Sequence, residues 1–120
     1  MSIGISIEYS GMAESFSKYL GTEMGKKIDS ILVYGSVARK EARKGSDIDL
    51  MIVTKYANNI KFLRKLYHLK TTFEQLGDFR FLISLFTITP GELKMEKRLK
   101  TPFISNVRED AIKLYGKNVL

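Results

Sequence analysis

Three short stretches rich in β-branched, aromatic and aliphatic residues interrupt a chain that otherwise carries helical spacing, and together they call for one mostly buried sheet with helices packed on it. Residues 28–34 (IDSILVY) stop at Gly35, as a buried strand does where it enters a tight turn. Residues 47–54 (DIDLMIVT) carry the apolar centre LMIV of a second buried strand, and residues 79–89 (FRFLISLFTIT) follow the Gly77-Asp78 turn as a third. Between them, Met12, Phe16, Tyr19, Leu20 and Met24 recur as one face of a first helix, with Gly21 as its weak spot. A second helix runs from Asn58-Asn59 to about Gly77 on a stripe through Ile60, Leu63, Leu66, Tyr67, Phe73 and Leu76. Thr89-Pro90-Gly91-Glu92 reads as a capping box with proline in the first turn, and Thr101-Pro102 repeats the signal for a last short helix. Residues 111–115 close the order as a short edge strand. The expected fold is a single α/β (α+β) domain over residues 1–120, a small mixed sheet flanked by helices.

Composition narrows the chemistry. The 120 residues contain no cysteine and one histidine, His68, which excludes thiolate zinc sites, a thiolate nucleophile and His-rich metal centres. His68 falls inside the second helix and reads as a surface or packing residue. Reactions must therefore run on carboxylates, hydroxyls, cations and backbone. A net charge of +7 suits a polyanionic partner without choosing one. The first nine residues lack the cationic and apolar blocks of a secretory signal, and the apolar run 81–86 is far shorter than the ~20 residues of a membrane span. The expectation is a cytoplasmic protein with no membrane partner.

The segment that carries chemistry runs from Gly35-Ser36 to Ser46-Asp47-Ile48-Asp49. Small residues at a strand-to-helix handover let backbone amides approach an anion, and phosphate is the natural occupant. Asp47 and Asp49, two apart on a strand, leave the same face. Such a pair holds a hard cation such as Mg²⁺, which keeps water and takes substrate phosphates as further ligands. Of the cations between the two halves, Arg39 and Lys44 are the candidates to neutralise a triphosphate.

Gly35-Ser36, ten residues, then Asp47-Ile48-Asp49 resembles the GSx10DxD signature of the minimal nucleotidyltransferases, small members of the polymerase β-like superfamily. The resemblance implies a nucleoside triphosphate, ATP, bound with Mg²⁺. Gly35, Ser36, Arg39, Lys44 and Ser46 would serve the nucleotide, and Asp47 and Asp49 would be the catalytic metal ligands. It implies transfer of AMP to a hydroxyl on a partner, with a small helical HEPN protein as toxin and this chain as antitoxin. A third carboxylate from a neighbouring strand belongs to the family pattern, and here the chain departs from it. Residues 79–89 contain no acid; the position falls near Arg80, Leu82 or Ser84. Asp78 substitutes only if the strand register brings it beside the pair. The competing expectation is a catalytically silent module that keeps the fold and binds nucleotide or partner. The basic groups Lys61, Arg64, Lys65, Lys70 and those at 94–100 read as general surface. They leave RNA open, yet no aromatic-plus-basic signature supports it, and homo-oligomerisation is equally left open.

Overall fold

A computed structural model describes residues 2–120, with side chains described from Gly4 onward. The elements follow in the order α1 (Ser2–Met24), a 3-10 turn (Gly25–Lys27), β1 (Ser30–Tyr34), β2 (Asp47–Val53), α2 (Ile60–Leu76), β3 (Leu82–Ile88), α3 (Pro90–Leu99), α4 (Pro102–Asp110) and β4 (Ile112–Gly116). The mixed sheet has the order β3-β2-β1-β4, with β1 antiparallel to β2 and β4, and β2 parallel to β3. The expected mixed sheet flanked by helices is therefore the observed one, with β4 at its edge.

Several of the expected boundaries move: β1 begins at Ser30 rather than Ile28, and β3 spans Leu82–Ile88 rather than 79–89 because Asp78 and Phe79 turn left-handed. The first helix begins at Ser2 rather than near Met12, and Met1 lies outside the described residues. Tyr9, Ala13, Phe16, Leu20 and Met24 form its buried stripe; Gly4, Gly11 and the serines around them obscure the periodicity of the first half. Gly21 is no break in this helix. A Cβ there would lie 2.7 Å from Tyr115 Cε1, so the glycine makes the notch in which β4 seats its tyrosine. The helix expected after Gly35-Ser36 is only one turn. The Arg39 amide donates to the Gly35 carbonyl (3.0 Å) and the Glu41 amide to that of Ser36 (2.8 Å), and Lys40, at φ +63°, ends the turn. Ala42, fully buried, then pins the loop to the core. No helix among the described residues is long and apolar enough to cross a membrane.

Each face of the sheet has its own core. Ile31, Val33, Ile48, Leu50, Ile52 and Ile83 pack against α1 and α2, whereas Leu32, Met51, Val53 and Ile88 meet Leu93 of α3 and Ile104 and Val107 of α4. The helix starts are capped as the sequence implies. Asn59 accepts from Phe62 N, Thr89 and Glu92 form a reciprocal capping box, and Thr101 accepts from Ile104 N.

One buried acid fixes where β3 begins. Glu74 of α2 is 6% exposed; its carboxylate accepts the Ile83 amide at 2.8 Å and pairs with Lys70 Nζ at 3.1 Å. Because β3 is an edge strand, that amide would otherwise have no partner in a buried position. Glu74→Ala is expected to lower stability by about 2 kcal/mol, since it strands a buried donor and a partly buried ammonium. Glu74→Gln should cost less because its carbonyl can still accept. Urea unfolding of both variants checks the order; equal midpoints for Glu74→Ala and the parent would contradict it.

Candidate active site

The pairing of β1 with β2 builds the site. Tyr34, the last residue of β1, is the cross-strand partner of Asp49, so the turn that follows Tyr34 lies against the aspartates that open β2. Gly35 takes φ +75°, a left-handed conformation that suits glycine. A Cβ at this position would come 2.5 Å from Asp49 Oδ2, so the carboxylate occupies the space any other residue would fill. The amides of Ser36, Val37 and Ala38 open the turn and have no backbone acceptor among the described residues, as at the start of a helix, where N–H groups suit an anion.

Asp47 is exposed and Asp49 half-buried, both on the sheet face that α3 and α4 cover further along. Burial pushes the Asp49 carboxyl above the usual carboxylate range, the charge of Asp47 raises it further, and Arg39 opposes both. Burial, and then the charge of Asp49, also raise the Tyr34 phenol. Arg39 is held at 3.0 Å by Glu41 and at 3.0 Å by Asp110, at the end of α4. Phe103 of α4 packs edge-on to Tyr34 (6.0 Å) and against Phe86 (4.8 Å), and forms the aromatic wall of this face.

The structure brings Gly35, Ser36, Arg39, Asp47 and Asp49 into one neighbourhood. It does not do so for Lys44, which lines a separate pocket of about 380 Å³ with Tyr9, Glu8 and Phe81 on the α1 side of the sheet. Ser46 closes the loop, its Oγ accepting from Arg43 N and its own amide donating to Arg43 O, both at 2.8 Å. Tyr9 secures the same loop by accepting from Gly45 N (3.0 Å).

The parallel register answers the question of the third acid. Asp47 lies beside Leu82 and Asp49 beside Ser84, while Asp78 precedes this ladder by four residues in a left-handed turn with Phe79. Glu92, beyond the far end of β3, is held in its capping box. Among the described residues no group of three or more His, Cys, Asp or Glu side chains could hold a metal. The donor set is thus two carboxylates, enough for one hard cation that completes its shell with water and phosphate oxygens. The sequence reading missed Asp110 and Phe103, far along the chain, where no local signal ties them to the motif.

The raised carboxyl has a consequence for stability. A folded-state value above the unfolded one means that ionised Asp49 destabilises the fold at neutral pH, and that this penalty is relieved as pH falls through the folded value towards the unfolded one. Asp49→Asn, in chelator, should therefore raise the melting temperature at about pH 7 and lose that advantage by about pH 3. A variant less stable than the parent at neutral pH would contradict the assignment.

The chain matches the family model described as Polymerase beta, Nucleotidyltransferase over residues 14–118. A candidate protein adenylyltransferase of Methanocaldococcus jannaschii is 26% identical over 106 residues, spanning 88% of this chain and 93% of its own. A candidate nucleotidyltransferase from Sulfolobus solfataricus superposes with a TM-score of 0.60 at 17% identity, over 97% of this chain and 87% of that one. A mutant of the toxin–antitoxin MntA-HpeT, in which two aspartates two positions apart are replaced by glutamate, superposes with a TM-score of 0.59. Its identity is 14%, over 88% of this chain and 74% of that one. A toxin–antitoxin structure with AMP-PNP gives 0.55 at 15% identity, with the same coverage. At these identities the solved structures establish a common fold. The family match over most of the chain, on a sheet that sets a Gly-Ser turn against an aspartate pair, makes this protein a member of the polymerase beta nucleotidyltransferase family.

Proposed function

We propose that the protein binds ATP with Mg²⁺ and transfers AMP to a hydroxyl group of a partner protein. The observation that carries this is the close approach of Gly35 to Asp49, which sets the Gly-Ser turn and the aspartate pair side by side. Bound there, Mg²⁺ would neutralise the aspartate pair and polarise the phosphates it touches. The turn amides and Ser36 would hold the outer phosphates, and Arg39, fixed by Glu41 and Asp110, would offset their charge. In the reaction the acceptor oxygen bonds to the α-phosphorus, the bond from that phosphorus to pyrophosphate breaks, and the hydroxyl proton leaves to water or to a base on the partner. Leu82 and Phe86, exposed on either side of Ser84 on this face, provide an apolar surface next to the aspartates for a protein acceptor. The names of the adenylyltransferase relative and of the toxin–antitoxin neighbours support an acceptor of that kind. We take the partner to be a helical HEPN protein acting as toxin, with this chain as antitoxin.

Ser84 supports a second reading, in which nucleotide binds without transfer. It stands beside Asp49 where a third acid would help deprotonate the acceptor, and a positioned base typically contributes ~10²–10⁴-fold. Both readings meet in one experiment. The protein is incubated with Mg²⁺ and ATP labelled on the α-phosphate, with and without the product of any neighbouring HEPN gene. Label on the partner, lost in Asp47→Asn and Asp49→Asn, is the expected result. Undiminished label in both variants would remove the proposed site. Bound ATP with no label transferred would select the silent module. In an active protein, Ser84→Asp should then raise the rate towards that range.

A further inference from the structure

A broad cleft lies away from the aspartates, at the opposite end of the sheet. Its volume is about 830 Å³, and its walls come from the end of α1, the 3-10 turn, the start of α2 and Tyr115 of β4. Ser30 and Val53 mark this end of the β1/β2 ladder, whereas Tyr34 and Asp49 mark the other, roughly 13 Å away along the strands. Four exposed lysines line the cleft: Lys26 and Lys27 on one wall, Lys61 and Lys65 on the other. Glu23 is the only acid among the described lining residues, and none of the four lysines forms an ion pair within the described structure.

We infer that this cleft binds the phosphate backbone of a single-stranded nucleic acid. Helix geometry explains part of the cluster without a ligand, since Lys65 Nζ reaches the Glu23 carbonyl at 3.4 Å near the end of α1, where a cation offsets the helix dipole. That explanation does not extend to Lys27 and Lys55, whose ammonium groups lie 5.5 and 5.3 Å from the centre of a single ring, Tyr56. Two like charges gather on this one ring, Lys27 inside the cleft and Lys55 just outside its lining, neither in an ion pair among the described residues, and together they attract an anion. The start of α2, capped by Asn59, opens into the same space and adds its own positive end. Tyr56 is stacked on Phe62 (5.7 Å, 20°), which holds the ring rigidly at the rim. A cationic groove of this kind suits a single strand, whose phosphate backbone follows the charge. In the sequence, Lys61 and Lys65 read as general surface together with Lys70. The fold separates them, because Lys70 is paired with Glu74 whereas Lys61 and Lys65 face Lys26 and Lys27 across the cleft.

Fluorescence anisotropy of the full chain with a labelled 12-nucleotide single-stranded RNA tests this at a series of salt concentrations. Binding should weaken with salt at a log–log slope of about −3, the value for four phosphate contacts on a single strand. Lys61→Gln with Lys65→Gln should halve that slope and weaken binding at least about tenfold at low salt. Lys94→Gln with Arg98→Gln, exposed cations on α3, should leave both unchanged. Loss of binding that is equal in the two double variants would overturn the inference, as would a flat salt response or no binding. Displacement of the RNA by polyglutamate at equal charge concentration would assign the cleft to an acidic protein segment instead. ATP binding that depends on Lys61 and Lys65 in the absence of RNA binding would assign it to a free nucleotide.

Discussion

The close approach of Gly35 to the Asp49 carboxylate, which occupies the space a Cβ would take, governs this end of the molecule. It exists because β1 and β2 run antiparallel in a register that opposes Tyr34 to Asp49, and because Gly35 can turn left-handed with no side chain in the way. A residue with a Cβ would be displaced from the carboxylate and strained in its backbone at once. The start of the turn and the aspartate pair are therefore joined by this close approach. The long loop between them is held at its own points, Ala42 in the core and Gly45 on Tyr9.

Burial of Asp49, and then the charge of Asp47, disfavour its ionised form, and the surroundings offset them only in part. Arg39 is the nearby cation, and it is shared with Glu41 and Asp110. The unliganded fold thus carries electrostatic strain that a bound cation would relieve, and stability and binding are linked at the same pair of residues. The opposite end has the reverse imbalance, with lysines facing one another across a cleft that holds one acid. The net charge of +7 is accordingly the sum of an acidic site and a more strongly basic surround.

Much of this was legible in the sequence because the determinants are local. The strand cores ILVY and LMIV, the caps at Asn59, Thr89 and Thr101, and the spacing from Gly35-Ser36 to Asp47 and Asp49 all act within a few turns of chain. What could not be read depends on residues distant in sequence. Glu74, buried in α2, helps set where β3 begins, and the resulting register puts Ser84 rather than Asp78 beside Asp49. Asp110 reaches Arg39 from 71 positions away. Gly21 looks like a helix breaker until Tyr115 is seated against it, and the turn after Ser36 stops after one round because Lys40 turns left-handed.

The central claim is that the turn and the acid pair act as one site, so that nucleotide and cation bind interdependently. Calorimetric titration of the protein with ATP, once with Mg²⁺ and once in chelator, tests it most directly. The expected result is tight binding with Mg²⁺ and at least about tenfold weaker binding without it, a coupling of about 1.4 kcal/mol or more. Equal affinity in the two titrations would contradict a shared site and separate the Gly35-Ser36 turn from Asp47 and Asp49.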